Sequence, residues 1–198
     1  MKQEEKNQKS RERILEYAFG EFAAQGYRGA SVNHLCADGG ISKGLLYHYY
    51  ADKDALYLAC VEKCFGELTA ALSAALEAST VTLDRYFDVR LDYFQHHPLH
   101  QQLFCDTVVN PPQHLLQQLS QCRTSFDKLN ETMLTAILEK ETLAEGITIP
   151  DAICQLRIFE DCVSSYLKTS MQEQQADRHN QLCRKTFQTM LYGLIARK

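Results

Sequence analysis

Three groups of residues in this chain have side chains capable of chemistry at close spacing. His96, His97 and His100 lie near Cys105. His96 and His100 stand four apart, the spacing at which one helical face can offer two imidazoles to a metal ion. Pro98 interrupts that turn, and no carboxylate stands in register, so no metal site is expected. Cys60 and Cys64 are also four apart, a separation at which a helix holds two thiols too far apart for easy disulfide geometry. They are expected to be core residues, as are most of the eight cysteines. No nucleophile elbow, P-loop, dinucleotide fingerprint or HExxH is present, so neither an enzyme nor a bound cofactor is expected. The third group is the run Tyr47, His48, Tyr49, Tyr50 inside "ISKGLLYHYYADKDAL", four rings with polar tips in succession. A helix that only filled a core would not need so many hydrogen-bonding rings.

The elements that carry these groups are helical, with no strand-type alternation to defend. Ile14, Leu15, Ala18, Phe19, Phe22 and Ala23 form one apolar stripe, with Ser10 to cap the helix and Gly26 to stop it. "GYRGAS" reads as a loop. Ser31 caps a short second helix that ends at Gly39-Gly40, Ser42 caps a third running to about Tyr50, and Asp52 caps a long fourth. Further helices follow over "LDRYFDVRLDYFQHH", "LHQQLFCDTVV", about 113–140, 151–171 and 179–196. The fold class is therefore all-α. Three helices with a tight glycine turn between the second and third have the arrangement of a helix-turn-helix.

On the third helix, Ile41, Leu46 and Tyr50 fall on one side and Lys43, Gly44, Tyr47 and His48 on the other. Lys43 can reach a guanine or a phosphate, Gly44 permits close approach to a base edge or sugar, and Tyr47 and His48 carry donors for phosphate oxygens. Lys53 could clamp the backbone from the start of the next helix. Charge adds little: the chain is −4 overall, and residues 1–50 hold seven Lys/Arg against six Asp/Glu. The polar start "MKQEEKNQKS" is unlike a signal peptide, and no apolar run approaches the length of a membrane span. Free thiols in a reducing cytoplasm are the simplest expectation.

Residues 26–56, "GYRGASVNHLCADGGISKGLLYHYYADKDAL", with "RILEYAFGEFAAQ" before them, resemble the TetR family of transcriptional repressors. The resemblance implies nine or ten helices: a helix-turn-helix DNA-binding domain over 1–55 and a ligand-binding and dimerisation domain over 56–198. It implies DNA contacts from Ser31, Asn33, Ser42, Lys43, Gly44, Leu45, Tyr47, His48, Tyr49 and Lys53. Leu45 stands where the family commonly has Thr, and Tyr50 where it commonly has Phe. The partners implied are a palindromic double-stranded operator, a second copy of the chain and a small-molecule effector.

Aromatic candidates for an apolar or aromatic effector are Tyr86, Tyr93, Phe94, Phe104, Phe126 and Phe159, with His97 beside them. Each of these rings can equally fill a core. The last two helices are the candidate dimer interface, through Leu156, Phe159, Val163, Tyr166 and Leu167 on one and Phe187, Met190, Leu191 and Leu194 on the other; an intramolecular core is the alternative. A metal- or redox-responsive regulator of the same fold, a Cys/His enzyme and a protein-binding helical module are the competing functions.

Overall fold

The computed structural model describes residues 2–77, 81–170 and 176–194. Among them it is all-α: α1 (Lys2–Gly29), α2 (Val32–Gly39), α3 (Lys43–Tyr49), α4 (Lys53–Glu77), α5 (Leu83–His96), α6 (Pro98–Val109), α7 (Leu116–Leu138), α8 (Ile149–Ser170) and α9 (Ala176–Leu194). A 3-10 turn, Gln113–Leu115, leads into α7. No helix of the described residues is long and apolar enough to cross a membrane.

Packing divides the chain into two compact units, Met1–Phe65 with Pro98–Arg123, and Gly66–His97 with Thr124–Lys198. The sequence boundary at 55/56 differs from this division, because residues 98–123 return to the N-terminal helices. In the first unit α6 packs along α1. Its core contains Ile14, Ala18, Phe22, Leu35, Leu46, Leu56, Tyr57, Cys60, Val61, Cys64 and Leu103, all essentially inaccessible. In the second unit α9 packs on α5 and on α8.

The ends of α1 depart from the sequence reading. Ser10 does not cap it: the helix already runs at Lys2, and the Ser10 hydroxyl donates back to the Lys6 carbonyl at 2.9 Å. A Ser four residues into an established helix bonds the preceding turn instead of starting a new one. Nor is "GYRGAS" a loop throughout, since helix resumes to Gly29 after a break at Gly26 (φ 64°, ψ 175°). That conformation is open essentially only to glycine. The break frees the Tyr27 N–H, which donates to Asp106 Oδ2 on α6 at 3.3 Å. A Cβ on Gly26 would stand 2.9 Å from the same oxygen. Glycine thus serves both the backbone angle and the close approach of α6.

Candidate nucleic-acid interface

The helix-turn-helix is built by capping. Ser31 is the N-cap of α2, its hydroxyl accepting the His34 N–H at 3.4 Å. Gly40 ends α2 in the left-handed conformation (φ 56°, ψ 38°), its N–H returning to the Ala37 carbonyl at 3.2 Å. Arg13 of α1 donates to the Gly39 carbonyl at 2.6 Å and so ties the turn to the first helix. Ser42 caps α3 by accepting the Leu45 N–H at 3.2 Å. Asp52 accepts the Ala55 N–H at 2.8 Å and starts α4.

Two side-chain networks hold this frame. Glu21 of α1 accepts the Ser31 N–H at 2.9 Å and contacts His34 Nδ1 at 2.8 Å; His34 Nε2 lies 3.5 Å from Asp38. Burial works to raise the Glu21 pKa, but the Ser31 and His34 bonds outweigh it and the net shift is downward. The Glu21 hydrogen bond, and then the Asp38 charge, raise that of His34. In the second network the Tyr27 hydroxyl donates to Asp54, which also contacts His114 Nε2 at 3.1 Å. Burial, then the bond to Asp54, push the Tyr27 phenol up to about 12, so it remains a donor. Sequence reasoning did not find this network, because Tyr27 and His114 lie 87 residues apart and no local pattern connects them.

α3 divides as its spacing predicts. Ile41, Leu46 and Tyr50 are buried, while Lys43, Gly44, Leu45, Tyr47 and His48 are exposed and Tyr49 is half-buried. Tyr47 is 49% exposed and Leu45 38%, high for a large ring and an apolar side chain on a seven-residue helix. The His48 and Tyr49 rings meet edge to face at 5.0 Å. Gly44 is helical, has no positive φ, and a Cβ there would meet nothing within 4 Å. Nothing in the described chain requires glycine at a position where it costs about 1 kcal/mol of helix stability relative to alanine. On α2, Asn33 is exposed and Ser31 half-buried.

Lys53 is differently engaged. Its ammonium donates to the Ala30 carbonyl at 2.7 Å and stands 4.8 Å from the Tyr27 ring centre, so it braces the segment that leads into α2. The remaining donors of the ammonium are what it has to offer a phosphate.

The other candidate residues are dispersed. Phe104 is buried in the first unit, 5.1 Å from Phe65. In the second unit Tyr86, Phe94 and Phe126 are buried and Tyr93 and Phe159 half-buried; exposed His97 stacks on Tyr93 at 4.4 Å. His100 lies against Phe19 at 4.6 Å, and among the described residues no group of three His, Cys, Asp or Glu could hold a metal ion. None of the eight cysteines is in a disulfide, and burial drives the Cys60 thiol pKa upward.

Three of the expected interface residues are already buried within the single chain. Leu156, Leu167 and Phe187 are 0%, 7% and 3% exposed in the single chain, so they are consumed by its own core. A 3–4 spacing marks the buried face of a helix without saying which copy buries it. Val163, Met190 and Leu191 are half-buried and Tyr166 exposed, whereas the Leu194 side chain lies outside the described residues.

Residues 14–60 match the family model described as bacterial regulatory proteins, tetR family. The helix-turn-helix segment is thus similar to the N-terminal domain of the TetR family. Its relatives include the HTH-type transcriptional repressor SCO4008 of Streptomyces coelicolor, 34% identical over 43% of this chain and 43% of that protein. The HTH-type transcriptional regulator RutR of Escherichia coli K12 is 26% identical over 67% of this chain and 59% of its own length. The chain thus spans about half the length of the curated relatives it matches. Among solved structures, a TetR family regulator from Shewanella sp. PV-4 covers 95% of this chain and 99% of its own, with a TM-score of 0.66 at 19% identity. FadR of Bacillus subtilis, crystallised with stearoyl-CoA, covers 87% and 95%, with a TM-score of 0.70 at 12% identity. At these identities the likeness to the two structures is one of TetR fold.

Proposed function

We propose that this protein is a ligand-responsive transcriptional regulator, a repressor that binds a palindromic operator as a homodimer and is released by a small-molecule effector. The observation that carries the reading is the outward face of α3, with Lys43, Leu45, Tyr47 and His48 exposed around a glycine that the chain itself does not require. Ser31, Asn33 and Ser42 flank it, Tyr49 stands at its edge, and Lys53 adds a cation at the next helix start. Residues 1–55 are the reader in this proposal, and 56–198 hold the effector and the second copy. The effector is an apolar or aromatic molecule among the rings of α5, α7 and α8. The protein acts in the cytoplasm, and no catalytic role is assigned to it. The names of the relatives, repressors and regulators of the HTH type, support the same direction.

One helix-turn-helix makes too few contacts for specific binding; a dimer doubles them and fixes the spacing of the half-sites. Effector binding that favours a different separation of the two α3 helices lowers affinity for DNA by linkage. The test is selection of duplexes from a random pool, with Lys43→Ala/Tyr47→Ala as the control. Lys53 is avoided because its loss would also release the Ala30 carbonyl. An enriched palindrome, absent in the control and weakening steeply with salt, is expected. Failure to enrich any sequence, alone and with a metabolite extract, would overturn the reading.

A further inference from the structure

The second unit encloses a charged cluster that DNA reading does not use. Arg90 of α5 is 7% exposed, and its Nη1 lies 2.5 Å from Glu160 Oε1 of α8. The guanidinium stands 5.5 Å from the centre of the Phe126 ring of α7, and its charge acts on the Tyr86 hydroxyl, one turn back on α5. That hydroxyl in turn donates to Asn130 Oδ1 on α7 at 2.5 Å. Three helices therefore contribute to one buried chain of polar groups. Aromatic rings border it: Phe87 lies 3.7 Å from Phe187 and 6.2 Å from Phe159.

Stability alone does not account for the cluster. Removing a guanidinium and a carboxylate from water is costly, and apolar side chains of the same volume would join the helices at least as well. The two charges are also unequally held. Arg90 lies over the Phe126 face as well as against Glu160, whereas the partner of the Glu160 carboxylate among the described residues is Arg90. A guanidinium accepts any carboxylate in the same forked geometry. With Glu160 displaced, the Arg90 guanidinium would be left against the Phe126 ring without its carboxylate.

We propose that Arg90 anchors an anionic effector, an amphipathic carboxylate whose head group takes the place of Glu160 and whose apolar body lies against Phe87, Phe126 and Phe159. The inference rests on the reading of the protein as effector-controlled and specifies the class of the effector. Displacing Glu160 breaks the link between α5 and α8, so the two states differ in a named contact that the ligand controls.

The test is calorimetric titration of the full chain with decanoate, decan-1-ol and decylamine, three head groups on one apolar body. Decanoate is expected to bind at least tenfold more tightly than the other two. Arg90→Met should abolish that preference, and Arg90→Lys, which keeps the charge without the fork, should restore part of it. Glu160→Gln removes the internal competitor and should tighten decanoate binding about tenfold. If Arg90→Met does not fold, the Glu160→Gln and Arg90→Lys comparisons decide, since a purely structural ion pair leaves head-group preference unchanged. Equal binding of the three compounds, a preference for decylamine, or no decanoate binding by the wild type and Glu160→Gln would overturn the inference. A metabolite extract that still releases operator DNA in that case would leave the effector-controlled reading standing. An extract without effect on the protein–DNA complex would count against that reading independently.

Discussion

Gly44 and Tyr50 flank the reading face of α3, and each departs from what the chain alone would favour. Gly44 occupies a helical position with open space around it. Gly44→Ala is therefore expected to raise stability by about 0.5–1 kcal/mol, measured by urea denaturation. The same methyl group would stand between the helix and a base edge, so operator affinity should fall about tenfold or more, for the usual worth of a base-edge contact. An alanine variant that gains stability and keeps its affinity would show that nothing approaches α3 at that point. Tyr50 carries the opposite conflict. Its ring is buried, its hydroxyl has no hydrogen-bond partner among the described residues, and Arg11 stands 6.0 Å from the ring centre. A buried hydroxyl without a partner costs about 1–3 kcal/mol. Tyr50→Phe should therefore raise the midpoint of thermal unfolding while leaving DNA binding unchanged. A lower midpoint would mean that the hydroxyl is bonded through water.

At the scale of elements, the junction of α1 and α2 is held by charge and should respond to pH. His34 has a raised pKa in the folded state, so its contribution is complete below about 6.5, the ordinary imidazole value, and lost as pH rises through the folded one. Glu21 has a lowered pKa, so its contribution is present above about 4.5 and lost as pH falls through the folded value. The α1–α2 junction should accordingly be firmest at about pH 4.5–6.5. The thermal midpoint of the wild type should decline more steeply from pH 6 to pH 8 than that of His34→Gln. Parallel curves would remove His34 from the account. Nothing in the local sequence announces this pairing, for Glu21 and His34 belong to different helices and meet only once Gly26 has turned the chain. The caps Ser31, Ser42 and Asp52, by contrast, were legible, because capping is decided within four residues. Ser10 shows the limit of that logic: a good capping residue is overruled when the residues before it also form helix. The buried and exposed sides of α3 were legible for the same local reason as the caps. The bracing role of Lys53 was not, since the Ala30 carbonyl it meets lies 23 residues away in the sequence.

At the scale of the whole molecule, the question is which faces of α8 and α9 remain for a second copy. The apolar spacing of α8 predicted an interface through Leu156 and Leu167, yet both lie in the core of the single chain. Periodicity records that a face is buried, and a helix packed on α9 within its own chain satisfies that record. What α8 leaves outside is the line Cys154, Ile158, Cys162 and Tyr166, spaced four apart and all exposed, with Ile158 59% accessible; of these the sequence had pointed to Tyr166 alone. If the proposed homodimer uses α8, this line is the one available to it. Ile158→Glu should then convert the dimer to a monomer in sedimentation velocity at micromolar concentration, with helical content and thermal midpoint nearly unchanged. Leu156→Glu, two residues away and so on the opposite side of α8, should unfold the chain instead, because its carboxylate would be buried without a partner. The operator should discriminate further: the Ile158→Glu monomer is expected to retain weak, salt-sensitive binding to a half-site and lose the cooperative binding to the palindrome. A dimer that survives Ile158→Glu would place the interface on another face of the helical unit and detach α8 from the control of half-site spacing.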